Sequence, residues 1–84
     1  MTKYETTRLP LAAYLHCSKS LEFTGVRKAS DATAVFEFLD PEGRGESLEI
    51  DFEQGRAIVD ARAFASSERF LKNKMYRALR QEGN

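Results

Sequence analysis

Thr33-Ala-Val-Phe-Glu-Phe-Leu-Asp40 is the most strand-like stretch of the chain, and it decides the fold. Side chains alternate between the two faces of a strand, so Phe36 and Phe38 are expected on one face. The strand ends before Pro41, because proline lacks an amide donor and the glycines that follow permit turn dihedrals. A single strand requires partners, which the flanking chain has to supply.

A short helix is predicted over residues 9–18. Pro10 suits a first helical turn, and Leu11 and Leu15 stand one turn apart on the face expected to meet the sheet. The polar residues 1–7 in front of this helix predict either a frayed terminus or a short edge strand.

The first partner strand is predicted over residues 21–28, where apolar and polar side chains alternate and Gly25 is a weak point. Residues 29–32 read as a short polar turn. Since antiparallel strands are commonly joined by a few residues, this strand is expected to form a hairpin with residues 33–40.

A second partner strand is predicted over residues 47–53. Leu48, Ile50 and Phe52 alternate there with acidic residues, which is typical of a half-exposed third strand of a meander. A short helix is the alternative, because Leu48 and Phe52 also lie four residues apart and only Ile50 would be misplaced.

The longest helix is predicted over residues 61–81, with Asp60 as its N-cap and Gly83 as its stop. The alternative is a helix split at Ser66 and Ser67, which weaken it, with a new start near Ser67. Phe70 lies beside the apolar stripe and either widens it or marks an exposed contact. The stripe itself is formed by Phe64, Leu71, Met75, Ala78 and Leu79.

These elements predict one α+β domain over residues 1–84: a short N-terminal helix, an antiparallel β-hairpin or three-stranded meander, and a long C-terminal helix packed on the sheet. No apolar run approaches the roughly 20 residues that cross a bilayer, so no membrane partner is expected. The single Cys17 cannot form an internal disulfide, and no hydrophobic leader follows Met1, so a cytoplasmic location is expected.

The order of several short motifs resembles a small family of uncharacterised, mainly bacterial and phage-associated domains of unknown function. The motifs are Leu11-Ala-Ala-Tyr-Leu15, Phe36-Glu-Phe38, Phe52 with Gly55, Val59-Asp-Ala61, Phe64 and Phe70-Leu-Lys72. The chain departs from that family at Lys19 and Ser20, where a glycine is expected, and in residues 48–52, which are more helical in the family. The family has no assigned activity, so the resemblance implies no catalytic or binding residue.

No constellation of catalytic, cofactor-binding or metal-ligating residues is recognised, and the chain is not expected to be an enzyme. His16 and Cys17 are neighbours on a predicted helix and therefore point about 100° apart. The acidic residues lack the spacing of a calcium loop, and Gly43-Arg-Gly45 lacks the Lys-Ser or Lys-Thr of a phosphate-binding loop.

Charge is segregated along the chain although it sums to zero. Residues 37–53 carry a net charge of −6, and residues 56–84 carry +4. The two segments either face each other or share a solvated surface.

The polar face of the C-terminal helix is the candidate contact surface, and its residues are Arg69, Asn73, Tyr76, Arg77 and Arg80. The sequence favours a non-enzymatic interaction or accessory module with a protein partner, for which a homodimer is one form. The alternative is a weak nucleic-acid-binding accessory protein that contacts phosphates through this helix. The neutral total charge and the pI of about 6.6 weigh against the alternative.

Overall fold

A computed structural model describes residues 2–80 of the chain, in which three helices cover one face of a three-stranded antiparallel sheet. The described residues form an α+β fold, as predicted. In chain order the elements are β1 (Lys3–Thr6), α1 (Leu9–Cys17), β2 (Glu22–Ser30), β3 (Thr33–Leu39), α2 (Gly45–Glu53) and α3 (Ala61–Arg80).

The predicted central strand, β3, lies in the middle of the sheet, in the order β1-β3-β2. The predicted hairpin is confirmed, since β2 pairs with β3 in antiparallel register. That register shifts between Phe23 and Gly25, where the sequence indicated a weak point. The other edge of β3 is taken by β1, so the edge-strand interpretation of the N-terminal residues is confirmed for Lys3–Thr6.

The third strand predicted over residues 47–53 is wrong, because this segment lies within α2. Both edges of β3 are already paired, so the sheet has no place for it beside the central strand. Leu48 enters the core and Phe52 stacks on Tyr14 with ring centroids 5.7 Å apart, whereas Ile50 remains 50% exposed. The alternation was therefore compatible with a helix that leaves one of its three large apolar side chains in water.

A carboxylate placed before α2 helps to select the helix. The two oxygens of the buried Asp40 accept hydrogen bonds from the backbone amides of Arg44 and Gly45, each at 2.7 Å. These bonds satisfy amide groups that a helix N-terminus leaves without intrahelical partners. Gly45 itself is buried against the ring of Tyr4, which ties the start of α2 to β1.

The core lies between the sheet and the helices. Helix α1 is its centre, because it packs against both α3 and α2, while α3 also covers β2 and β3. Buried alanines at positions 12 and 13 allow this close approach. The largest fully buried side chains are Phe36, Phe38, Leu11, Leu15 and Leu71.

The long C-terminal helix is confirmed as α3, which continues without a break through Ser66 and Ser67. Asp60 caps it as predicted, since its Oδ2 accepts a hydrogen bond of 2.9 Å from the amide of Ala63. Gln81 and Gly83, the predicted end and stop, lie outside the described residues. None of the described helices combines the length and apolar character needed to cross a membrane.

Candidate interaction surface

The predicted contact residues lie together on the face of α3 that points away from α1 and the sheet. Arg69, Asn73, Tyr76, Arg77 and Arg80 are all exposed, while Leu71 and Ser67 on the opposite face are buried. We call these five residues, with Arg62 and Lys72, the outer face of α3.

Arg62 was missing from the predicted contact set. Residues seven apart on an α-helix differ by only about 20° in direction, so Arg62, Arg69 and Tyr76 form one line along the helix. From Arg62 to Arg80 the helix rises about 27 Å. The seven-residue spacing is visible in the sequence and could have identified Arg62.

The basic residues of α3 have no acidic partners within residues 2–80. The helix carries six basic residues and one acid, Glu68, and therefore a net charge of +5. Four acids of residues 37–53 pair instead with basic residues outside α3, so they do not neutralise α3. The pairs are Lys3–Glu37, Arg27–Glu37, Arg8–Glu49, Arg8–Glu53 and Arg56–Asp51.

Placing residues 47–53 in a helix also separates two carboxylates that a strand would have put on one face. Glu49 accepts a hydrogen bond from the Tyr4 hydroxyl and pairs with Arg8, while Asp51 pairs with Arg56 at 3.0 Å. Burial, followed by this hydrogen bond and the charge of Glu49, raises the pKa of Tyr4. Tyr4 therefore stays protonated and acts as a donor that holds α2 on β1.

The open face of the sheet carries charges that pair with one another. The guanidinium of Arg27 lies 2.8 Å from a Glu37 carboxylate oxygen and 3.0 Å from one of Glu5, and Lys3 also approaches Glu37 at 3.9 Å. This cluster joins all three strands across β3. Because its charges balance, the open sheet face presents no excess of one sign to a partner.

Phe70 widens the apolar stripe of α3 and remains 41% exposed. Its ring stacks on His16 with centroids 5.2 Å apart, contacts the edge of Phe23, and lies 5.4 Å from the ammonium of Lys74. These contacts join α3 to α1 and β2, which gives Phe70 a packing role.

His16 and Cys17 do not form a nucleophile and base. Nδ1 of His16 lies 2.7 Å from the hydroxyl of the buried Ser67, and burial lowers the pKa of His16. The Cys17 thiol donates to the carbonyl of Tyr14 at 3.7 Å, and burial raises its pKa, which disfavours the reactive thiolate. Both residues support the packing of α1.

The clefts of the described chain are shallow, and the one between the start of β2 and the loop before α2 is lined by Asp40 and Arg44. Both oxygens of Asp40 already accept hydrogen bonds from backbone amides, so the buried acid of this cleft serves to hold the start of α2. Within residues 2–80 no group of three or more His, Cys, Asp or Glu side chains is arranged to hold a metal ion.

Comparisons with protein-family models, with curated proteins and with solved structures found no match for this chain. The functional interpretation therefore rests on the surface itself. That surface is an exposed and positively charged helix face about 27 Å long.

Proposed function

We propose that this protein is a non-enzymatic interaction module that binds an acidic protein surface through the outer face of α3. The observation that carries the proposal is that, in the part of the chain that the structure describes, basic residues in α3 lack ion-pair partners, whereas several basic residues outside it have them. Within residues 2–80 the basic side chains of α3 are exposed and have no acidic partner, whereas Lys3, Arg8, Arg27 and Arg56 outside α3 each pair with an acid. A helix with unpaired charge of one sign attracts a partner of the opposite sign and speeds its encounter.

The proposal can be tested with fluorescently labelled poly-L-glutamate as a minimal acidic partner. The variant with Arg69, Arg77 and Arg80 changed to Ala is expected to bind it at least about tenfold more weakly in anisotropy titrations. A matched control changes Lys3, Arg44 and Arg56 to Ala, which removes the same charge from exposed positions outside α3. Equal losses in the two variants would mean that only total charge matters, and the assignment to α3 would fall.

A nucleic-acid backbone is the second candidate partner. It is favoured by the length of the outer face of α3 and by Tyr76 on that face, which is 47% exposed. Phosphate contacts release counterions, so binding should weaken linearly on a logarithmic salt scale. If three arginines contact phosphates, the triple alanine variant should lower that slope by about three. No binding of labelled DNA or RNA at low salt removes this candidate and leaves the protein partner.

The setting that we propose is cytoplasmic. The single cysteine of the chain is half-buried and unpaired within the described residues, which fits a compartment where thiols stay reduced.

A further inference from the structure

Two large apolar side chains stand exposed in the middle of helix faces. Ile50 of α2 is 50% exposed and Tyr76 of α3 is 47% exposed. Phe70, by comparison, is stacked on His16, and Ile58 lies in the loop between the two helices. Ile50 and Tyr76 therefore mark two helix faces that lack a cover.

The neighbours of these two residues carry opposite charge. One turn before and after Tyr76 lie Lys72 and Arg80, which are separated by about 12 Å along α3. One turn before and after Ile50 lie Glu46 and Glu53, which are separated by about 10.5 Å along α2. Each face thus has an apolar centre between charges, the spacings agree, and apolar centres with polar rims are what protein interfaces show.

The two faces cannot meet within one molecule. Helix α3 lies over β2 at one edge of the sheet, whereas α2 is held on β1 at the other edge by Tyr4, and α1 packs between them. A contact between these two faces therefore requires two molecules of this chain.

We infer that the acidic partner of the outer face of α3 is a second copy of this chain, which docks through the Ile50 face of its α2. This inference rests on the proposed function and names its partner. Because two different faces meet, the contact is heterologous and leaves a free face at each end, so the copies join head to tail in open chains.

The electrostatic attraction in this contact comes mainly from Glu46. It has no ion-pair partner within residues 2–80, whereas Glu53 is already paired with Arg8 on the surface. Exposed ion pairs contribute little to stability, so Glu53 can exchange Arg8 for a basic residue of the second copy at a small cost in free energy. The association is therefore weak, reversible and sensitive to salt.

Sedimentation velocity over a wide concentration range tests the apolar part of the contact. The average mass of the full chain should rise steadily past that of a dimer and fall when salt is added. Ile50→Ser and Tyr76→Ser should each weaken self-association at least about tenfold. Ile58→Ser is the matched control, since Ile58 is 91% exposed but lies outside both faces, and it should leave self-association unchanged.

An exchange of charges tests the pairing itself. The double variant Lys72→Glu/Arg80→Glu and the single variant Glu46→Lys should each lose self-association at least about tenfold, and an equimolar mixture should recover it. Lys19→Glu, which makes the same type of change at an exposed residue outside both faces, should have little effect. Thermal melts of each variant show whether the fold is retained.

Several outcomes would overturn the inference: a monomer mass at every concentration, a plateau at the mass of a dimer, or no recovery in the mixture. If the chain stays monomeric but still binds poly-L-glutamate through Arg69, Arg77 and Arg80, only self-association falls and the proposed function stands. If the triple alanine variant binds poly-L-glutamate as the wild type does, the proposed function falls.

Discussion

Gly45 is the residue where the smallest change should have a large effect. A Cβ atom at this position would overlap the ring of Tyr4, whose hydroxyl is bonded to Glu49. Gly45→Ala should therefore lower the free energy of unfolding by about 2 kcal/mol, because the steric cost exceeds the roughly 1 kcal/mol that alanine gains as a helix former. Chemical denaturation measures it, with the exposed Ser47→Ala as control. A Gly45→Ala variant as stable as the wild type would contradict the contact.

Lys19 adopts a backbone conformation that glycine adopts more readily. Its φ of 58° lies in the left-handed region just after α1, where its amide donates to the carbonyl of His16. A residue with a Cβ pays about 1 kcal/mol there, so Lys19→Gly should raise the free energy of unfolding by about that amount.

Lys19→Ala is the matched control for this prediction, because it removes the same charge and keeps the Cβ. It should leave the denaturation midpoint unchanged or lower. If both variants raised the midpoint equally, the gain would come from removing the charge.

At the scale of elements, the contact between His16 of α1 and Ser67 of α3 predicts that the stability of the fold depends on pH. Burial lowers the pKa of His16 below its ordinary value of 6.5. The unfolded chain then binds the proton more readily, so the free energy of unfolding falls as the pH drops from about 6.5 through the folded pKa. Below that pKa, His16 adds no further loss.

Thermal unfolding between about pH 7.5 and pH 5.5 checks this sign, since carboxylates titrate mostly at lower pH. His16→Asn keeps a polar group near Ser67 but does not titrate, so its melting temperature should change less over this range. If the melting temperatures of the two proteins depended equally on pH, His16 would not be the cause of the pH dependence.

The elements also show where sequence patterns suffice. The strand at residues 33–39 and the helix at residues 61–80 were predicted because long, regular alternation and a helical apolar stripe admit one interpretation each. Residues 47–53 are short enough to fit both the alternation of a strand and the four-residue spacing of a helix. Only the occupation of both edges of β3 and the cap from Asp40 selected the helix.

At the scale of the whole molecule, the net charge is zero, but negative charge is concentrated in residues 37–53 and positive charge in residues 56–84. Near the pI of about 6.6 no net repulsion opposes association, and attraction between the basic α3 and the acidic α2 of another copy is strongest at low salt. The second virial coefficient at that pH should therefore be negative at low salt and should increase with salt. A coefficient that becomes more negative with salt would mean that apolar attraction dominates.

The sequence by itself determined the α+β class, the central strand, the hairpin and the exposed basic side of the last helix, because each depends on a local period that one segment carries. The tertiary structure decided which segment completes the sheet and which charges remain unpaired. These depend on partners far apart in the chain: Tyr4 with Glu49 and Arg8 with Glu53. Such pairs neutralise acids for which the sequence left open a position facing α3, and so leave its outer face available to a partner.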